Sequence, residues 1–444
     1  MPPWDLSGEA RAAIKLKIMQ KKECIKDLEM AIKRLETDML YANMDLTKLL
    51  EASAPIWLLP KELLARIFWL CCRNTKIIHS SWGTGFRPLH SLPMITLGLV
   101  CKFWHSLVNE DPLLWSTFEM EDVGDNRVLD HLLERSSSVL LDCTLSLPTY
   151  PRDPSALLTS SIPRWKRLSL SMYTPHKLDE VFGDHLSFKN LRSLEISHIC
   201  DWGMPPNGSS EAVGWTWDCP QLVALKLVYF PLEPLYSLQH LATLTLAYMD
   251  LSHVWNLLKA CRNIRSLVLE KILGTSLGLR PVLLSHCHSL CIREVNEIGN
   301  MDVLMEHLDT PILQMFEIGW KLSSKGRLLQ LVPLVTRHSL MQLHIQNLCF
   351  PSEMTQTLLG QLACLQELVY QDDDLLAGDT TSHILFQNLG LHCPSLKIVK
   401  VEAGFEAMMH VLDFCDYHPG LERVFLTLLI HDGARDFEVV QSVR

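Results

Sequence analysis

The chain has 444 residues, 48% of them apolar and 20% charged, with a formal net charge of -10. That composition is globular, long enough for two or three domains or one elongated array, and it excludes a protein that grips nucleic acid through a basic face. The absence of any uninterrupted apolar run of about 18 residues excludes an ordinary membrane-spanning helix. The opening residues "MPPWDLSGEARAAIK" do not read as a secretory signal. Fourteen cysteines without such a signal point to a reducing compartment, cytoplasm or nucleus, where thiols serve as small buried hydrophobes.

Residues 1–54 read as a long amphipathic helix, since positions 10 to 53 hold no Pro or Gly. With Ile18, Ile25, Ile32, Met39 and Leu46 at heptad position a, Lys21, Leu28, Leu35, Ala42 and Leu49 fall at d. Two readings stay open: a coiled coil that self-associates or docks a partner helix, or a helix packed back on its own domain. Pro55 ends it.

Residues 55–118 then carry two greasy helical segments. In "IWLLPKELLARIFWLCC", Leu63, Leu64, Ile67, Phe68 and Cys71 make an apolar face wider than a surface helix needs. In "LGLVCKFWHSLVNEDPLLW", Leu97, Val100, Cys101, Trp104, Leu107 and Val108 share a face. So small a bundle cannot bury all of this, so part of it is expected to meet another protein. Between the segments, residues 73–92 read as an inserted loop.

These blocks, LP-x-E-LL-x-x-IF followed by VC-K-x-W and PLLW, resemble the F-box. The resemblance implies binding to the Skp-family adaptor of cullin-RING ubiquitin ligases through Leu59, Pro60, Glu62, Leu63, Leu64, Ile67, Phe68, Leu97, Val100, Cys101, Trp104, Leu107, Val108 and Trp115.

From 119 to 444 the pattern changes to an apolar triplet at i, i+3 and i+5, anchored at Leu140, Trp165, Leu191, Leu222, Leu241, Ile264, Leu290, Leu313, Leu340, Leu365, Leu396 and Leu421. The intervals run from 19 to 31 residues. A short strand with alternate residues buried, plus enough chain to return through a helix, is the leucine-rich-repeat arrangement. The expected fold is therefore α/β: an irregular horseshoe-like solenoid of about 12 repeats, preceded by the all-α F-box and the long helix. The usual Asn or Cys at i+8 is replaced by residues such as Phe230, Met249 and Ile272, so the turns are expected to be held by packing. Cys219, Cys261, Cys287 and Cys393 read as structural residues three places before a triplet. His286, Cys287, His288 and Cys291 lack the second ligand pair of a structural zinc site, and no cofactor is expected. Asp372, Asp373 and Asp374 read as solvated acid.

The order of helix, F-box and irregular repeats is also similar to F-box proteins of mushroom-forming fungi. That resemblance implies a non-catalytic subunit whose solenoid holds a substrate protein for ubiquitination. Outward strand positions then become candidate substrate contacts: Arg167, Glu195, Lys226, Thr245, Glu270, Glu317, His344, Glu367 and Lys400, joined by the loop tryptophans Trp202, Trp215 and Trp217. The alternative is a leucine-rich-repeat scaffold with no ligase role. No phosphate loop, nucleophile elbow or paired-His metal motif is present.

Overall fold

The computed structural model describes residues 8–53, 55–73, 76–78, 92–121, 126–147, 156–172, 187–198, 213–215, 218–230, 232–234, 238–274, 280–293, 304, 306–319, 326–327, 340–349, 359–372, 380–418, 420–428 and 437–441. Residues 1–70 and 71–444 form two compact units.

In the first unit, α1 runs from Gly8 to Ser53. Every residue from 11 to 50 is exposed, the whole a/d stripe included. Within the helix, the Thr37 hydroxyl donates to the Lys33 carbonyl at 2.8 Å and Lys48 pairs with Asp45 at 3.2 Å. A single 3-10 turn, Pro55–Leu58, follows where Pro55 forbids continuation. Helix α2, Lys61–Cys72, then starts on the Pro60 carbonyl, which accepts from the Leu63 and Leu64 amides at 3.0 and 3.1 Å.

Among the described residues of the second unit, fifteen strands form one sheet. In chain order they are β1 (Lys76–Ile78), β2 (Thr117–Glu121), β3 (Leu141–Leu147), β4 (Trp165–Met172), β5 (Ser193–His198), β6 (Ala224–Val228), β7 (Thr243–Ala247) and β8 (Ser266–Glu270). The rest are β9 (Ser289–Arg293), β10 (Met315–Gly319), β11 (Gln342–Gln346), β12 (Glu367–Gln371), β13 (Ile398–Ala403), β14 (Arg423–Leu428) and β15 (Phe437–Gln441). Each pairs with its neighbour in sequence, in parallel, until β15 closes the edge antiparallel to β14. The segment 73–92, expected to be loop throughout, contributes β1, with Lys76 opposite Glu119. Helices occupy several connections: α3 (Pro93–Gly98), α4 (Lys102–Glu110), α5 (Asn126–Arg135), α6 (Ala156–Ser161), α7 (Leu251–Ala260), α8 (Thr380–His392) and α9 (Phe405–Tyr417).

The i+3 and i+5 residues of the triplets line up across neighbouring strands and are buried, as in Leu244, Leu267 and Leu246, Leu269. One anchor is corrected. Leu290 pairs with Leu267 and Ile292 with Leu269, so this repeat starts at Cys287 rather than Leu290. Its turn agrees: the Cys287 amide bonds the Leu284 carbonyl at 3.1 Å, as Leu222 bonds Cys219 and Leu396 bonds Cys393, each at 3.1 Å. Cys287 therefore takes the place of a repeat's first leucine, while Cys219, Cys261 and Cys393 sit three residues ahead of theirs. Burial pushes the thiols of Cys219, Cys261 and Cys393 up to about 12 and that of Cys287 to about 11.

At i+7 the backbone turns left-handed at Tyr229, Tyr248, Lys271 and Asn347. Their amides still reach the next strand, Tyr248 to Glu270 at 2.9 Å and Lys271 to Arg293 at 2.8 Å. The reversal delivers the apolar i+8 side chains of Phe230, Met249 and Ile272 to the interior. Such conformations cost about 1–2 kcal/mol each for residues with a Cβ. Stacking at 4.1 Å between Tyr229 and Tyr248, with Lys271 Nζ 4.7 Å above the Tyr248 ring, offsets part of that cost.

Helix α7 buries the face formed by Val254, Leu257 and Leu258, with Trp255 donating to the Arg280 carbonyl at 2.7 Å. On α9 the buried face is Ala407, Met408, Val411 and Phe414, and Leu412 lies outside it.

Candidate functional site: two helical segments and the outer face of the sheet

The fourteen residues expected to meet an adaptor divide sharply by burial. On α2, Leu64 and Phe68 are 0% and 1% exposed, and with Cys72 they form a buried stripe at i, i+4, i+8. One residue round the helix, Leu63 and Ile67 are 53% and 41% exposed and continue to Leu70. The single broad apolar face in the sequence is thus two stripes, one inward and one outward. Leu58, just ahead, is 84% exposed. Leu59 is half-buried, and Pro60 and Glu62 are exposed.

The second segment shows the same division within its own unit. Leu107, Val108 and Trp115 are buried, and the Trp115 indole donates to the Val108 carbonyl at 2.9 Å. Arg135 lies over that ring, and His131 meets it edge-on. Cys101 caps α4, its sulfur accepting from the Trp104 amide at 3.4 Å. Leu97 and Trp104 are half-buried. Val100 is exposed, and so are Leu99 and Phe103, which the sequence reading left out because they fall off the predicted buried face.

The outer face of the sheet carries the side chains at i+2, i+4 and i+6. Most charges there are paired between neighbouring strands. Arg167 pairs with Asp142 at 3.3 Å, Lys226 with Glu195 at 2.6 Å and Lys400 with Glu367 at 2.7 Å. Glu317 is the most enclosed of these paired acids, its side chain 16% exposed against 19% for Glu367. His344 Nδ1 stands 3.5 Å from it on one side and Arg293 Nη2 2.6 Å on the other. Hydrogen bonding from His344 foremost, then from Arg293, holds its carboxyl down at about 2. The chain of contacts continues from His344 Nε2 to Gln371 at 3.1 Å and from Gln371 to Glu402. Gln342 adds a second bond to Glu367 at 3.1 Å. Thr245 and Glu270 are half-buried on the same face.

Arg293 escaped the sequence reading for a definite reason. Anchoring that repeat at Leu290 put Arg293 at the inward i+3 position. From Cys287 it falls at i+6, on the outer face. Trp202 and Trp217 lie outside the described residues, and Trp215 ends the short strand Val213–Trp215, which pairs with Leu232–Pro234.

Two other expectations resolve here. Asp372 is buried rather than solvated and accepts from the Tyr370 hydroxyl at 3.1 Å, while Asp373 and Asp374 lie outside the described residues. Cys287 is buried at the start of its repeat, Cys291 is buried on the outer face of the sheet opposite Glu317, and His286 and His288 are exposed, so the four do not converge.

A feature no motif signalled is an open cleft of about 440 Å3 between α8 and α9, lined by His383, Phe386, His410, Asp413, Phe414 and Tyr417. The His383 and His410 rings share one Nδ1 to Nδ1 contact of 3.3 Å. They come from different helices, 27 residues apart, which local spacing does not reveal. Among the described residues, no group of three His, Cys, Asp or Glu is placed to hold a metal, and no helix is long and apolar enough to cross a membrane.

Set against known proteins, the chain matches no family model and no curated sequence.

Proposed function

We propose that the chain is a non-catalytic substrate receptor of an SCF-type ubiquitin ligase, with an F-box at residues 55–118 for the Skp-family adaptor and a leucine-rich-repeat-like solenoid for a substrate protein. The observation that carries this reading is the outward stripe of α2. Leu63, Ile67 and Leu70 remain exposed while Leu64 and Phe68, on the neighbouring stripe, are fully buried. A helix that has satisfied its own core and still presents bulky aliphatics has them available for a partner. Each would contribute about 1.5–3 kcal/mol on full burial. The Cys101 cap accounts for the spacing of the VC-K-x-W block, which supports the same family reading.

On the outer face, the mutual pairing of charges supports a partner recognised by shape and hydrogen bonding rather than by net charge. Rate enhancement would come from holding substrate near a separate conjugating enzyme. Cytoplasm or nucleus is the compartment this implies.

The test is calorimetric titration of the purified adaptor into the full chain. Wild type is expected to bind, and Leu63→Asp with Ile67→Asp to weaken binding at least about a hundredfold with helicity unchanged. Leu64→Asp is a folding control, since its side chain is buried. A wild-type chain that is folded yet does not bind the adaptor removes the ligase role and leaves the scaffold reading.

A further inference from the structure

We infer that α1 associates with a second copy of itself as an antiparallel two-stranded coiled coil, independently of the adaptor reading. The a and d side chains along α1 are exposed, from Ile18 at 51% to Leu49 at 69%. Two such stripes brought together would remove roughly 1,000 Å2 or more from water, enough for a specific interface.

The sequence of the stripe chooses the direction. In a parallel, in-register pair, identical a and d residues meet. Lys21 would face Lys21, Ala42 would face Ala42 across a void, and Lys17 at g would face Lys22 at e. In an antiparallel pair, a residues layer against d residues of the other copy. One register does this along the full helix: Ile14 opposite Leu46, Ile18 opposite Ala42, Ile25 opposite Leu35 and Leu28 opposite Ile32. Large then meets small at Ala42, and Lys21 meets the flexible Met39, from where its ammonium can reach Asp38 beside it.

Flanking charges make the same choice. The e and g positions are basic in the first half of α1, at Lys15, Lys17 and Lys22, and acidic in the second, at Glu29, Glu36, Asp38 and Asp45. Head-to-tail alignment places Lys22 across from Glu36 and Lys17 across from Asp45, each pair occurring twice by symmetry. Asp45 already touches Lys48 of its own helix at 3.2 Å, an exposed contact that leaves its second oxygen for Lys17. Only Glu29, at the dyad, faces its own kind.

The full 444-residue chain at low salt, followed by light scattering through a dilution series, provides the test. Wild type is expected to be dimeric at micromolar concentration. Lys22→Glu is expected to raise the dimer Kd roughly tenfold, because it faces Glu36, and Lys22→Glu with Glu36→Lys is expected to return it to the wild-type value. A parallel pair would respond in the opposite sense, since Lys22→Glu there meets Lys17 and tightens. A monomeric wild type, a tighter Lys22→Glu dimer, or failure of Glu36→Lys to restore affinity would each overturn the inference.

Discussion

Glu317 draws hydrogen bonds from His344 and from Arg293 and is largely shielded from water. Its folded-state pKa of about 2 lies below the ordinary 4.5, so the ionised carboxylate contributes stability above about pH 4.5. That contribution drains away as pH falls from 4.5 toward 2. Glu317→Gln is therefore expected to lower stability at pH 7 by about 1–3 kcal/mol and to flatten the acid branch of the profile, with little difference from wild type near pH 2. Thermal scans at half-unit pH intervals read both effects. Equal loss at all pH values would mean that packing, rather than charge, is what the residue supplies.

At the scale of the element, the entry to α7 depends on two residues far apart in sequence. Asp250 caps the helix, its carboxylate accepting from the Ser252 amide at 2.8 Å. Gly274 sits at φ +74, and a Cβ there would lie 2.2 Å from the Asp250 carboxylate. Gly274→Ala is expected to cost about 2–3 kcal/mol, combining left-handed strain with displacement of the cap. Asp250→Ala should cost about 1 kcal/mol. In urea denaturation the double variant should lose less than the sum of the two, because each disturbs the same cap. Strict additivity would show that the clash relaxes elsewhere.

For the whole second unit, the repeats do not begin where the triplets do. β1 and β2 extend the sheet ahead of β3, and Phe118 and Met120 of β2 and Leu129, Leu132 and Leu133 of α5 are buried. Arg164 donates to the Leu133 carbonyl at 3.1 Å and to Ser136 at 2.6 Å. A fragment starting at residue 138 would leave β3 as a bare parallel edge and remove these apolar partners. It is expected to be less stable than residues 71–444 by on the order of 5 kcal/mol, and to aggregate more readily. Calorimetry on the two fragments measures the difference, and equal transition temperatures would show that the sheet needs no cover on that side.

The order of residues alone determined the long helix, the α/β alternation and the inward strand positions. Each rests on local periodicity: unbroken heptads from Ile18 to Leu49, and leucines spaced so that i+3 and i+5 share one face of a strand. It was enough to mark α2 as too apolar for its size. Tertiary structure decided what period cannot express. Leu63 and Leu64 have the same chemistry and adjacent positions, and only packing sends one outward and the other inward. The slip at Leu290 has the same origin, since Cys287 does a leucine's work and only strand pairing reveals it, taking Arg293 from the core to the side of Glu317. Non-local contacts also made the cleft at His383 and His410 and tied Asp372 to the next strand, its amide bonding the Glu402 carbonyl at 2.9 Å. Hydrophobic patterning selects a face, whereas pairing between distant segments selects which residues on it meet water.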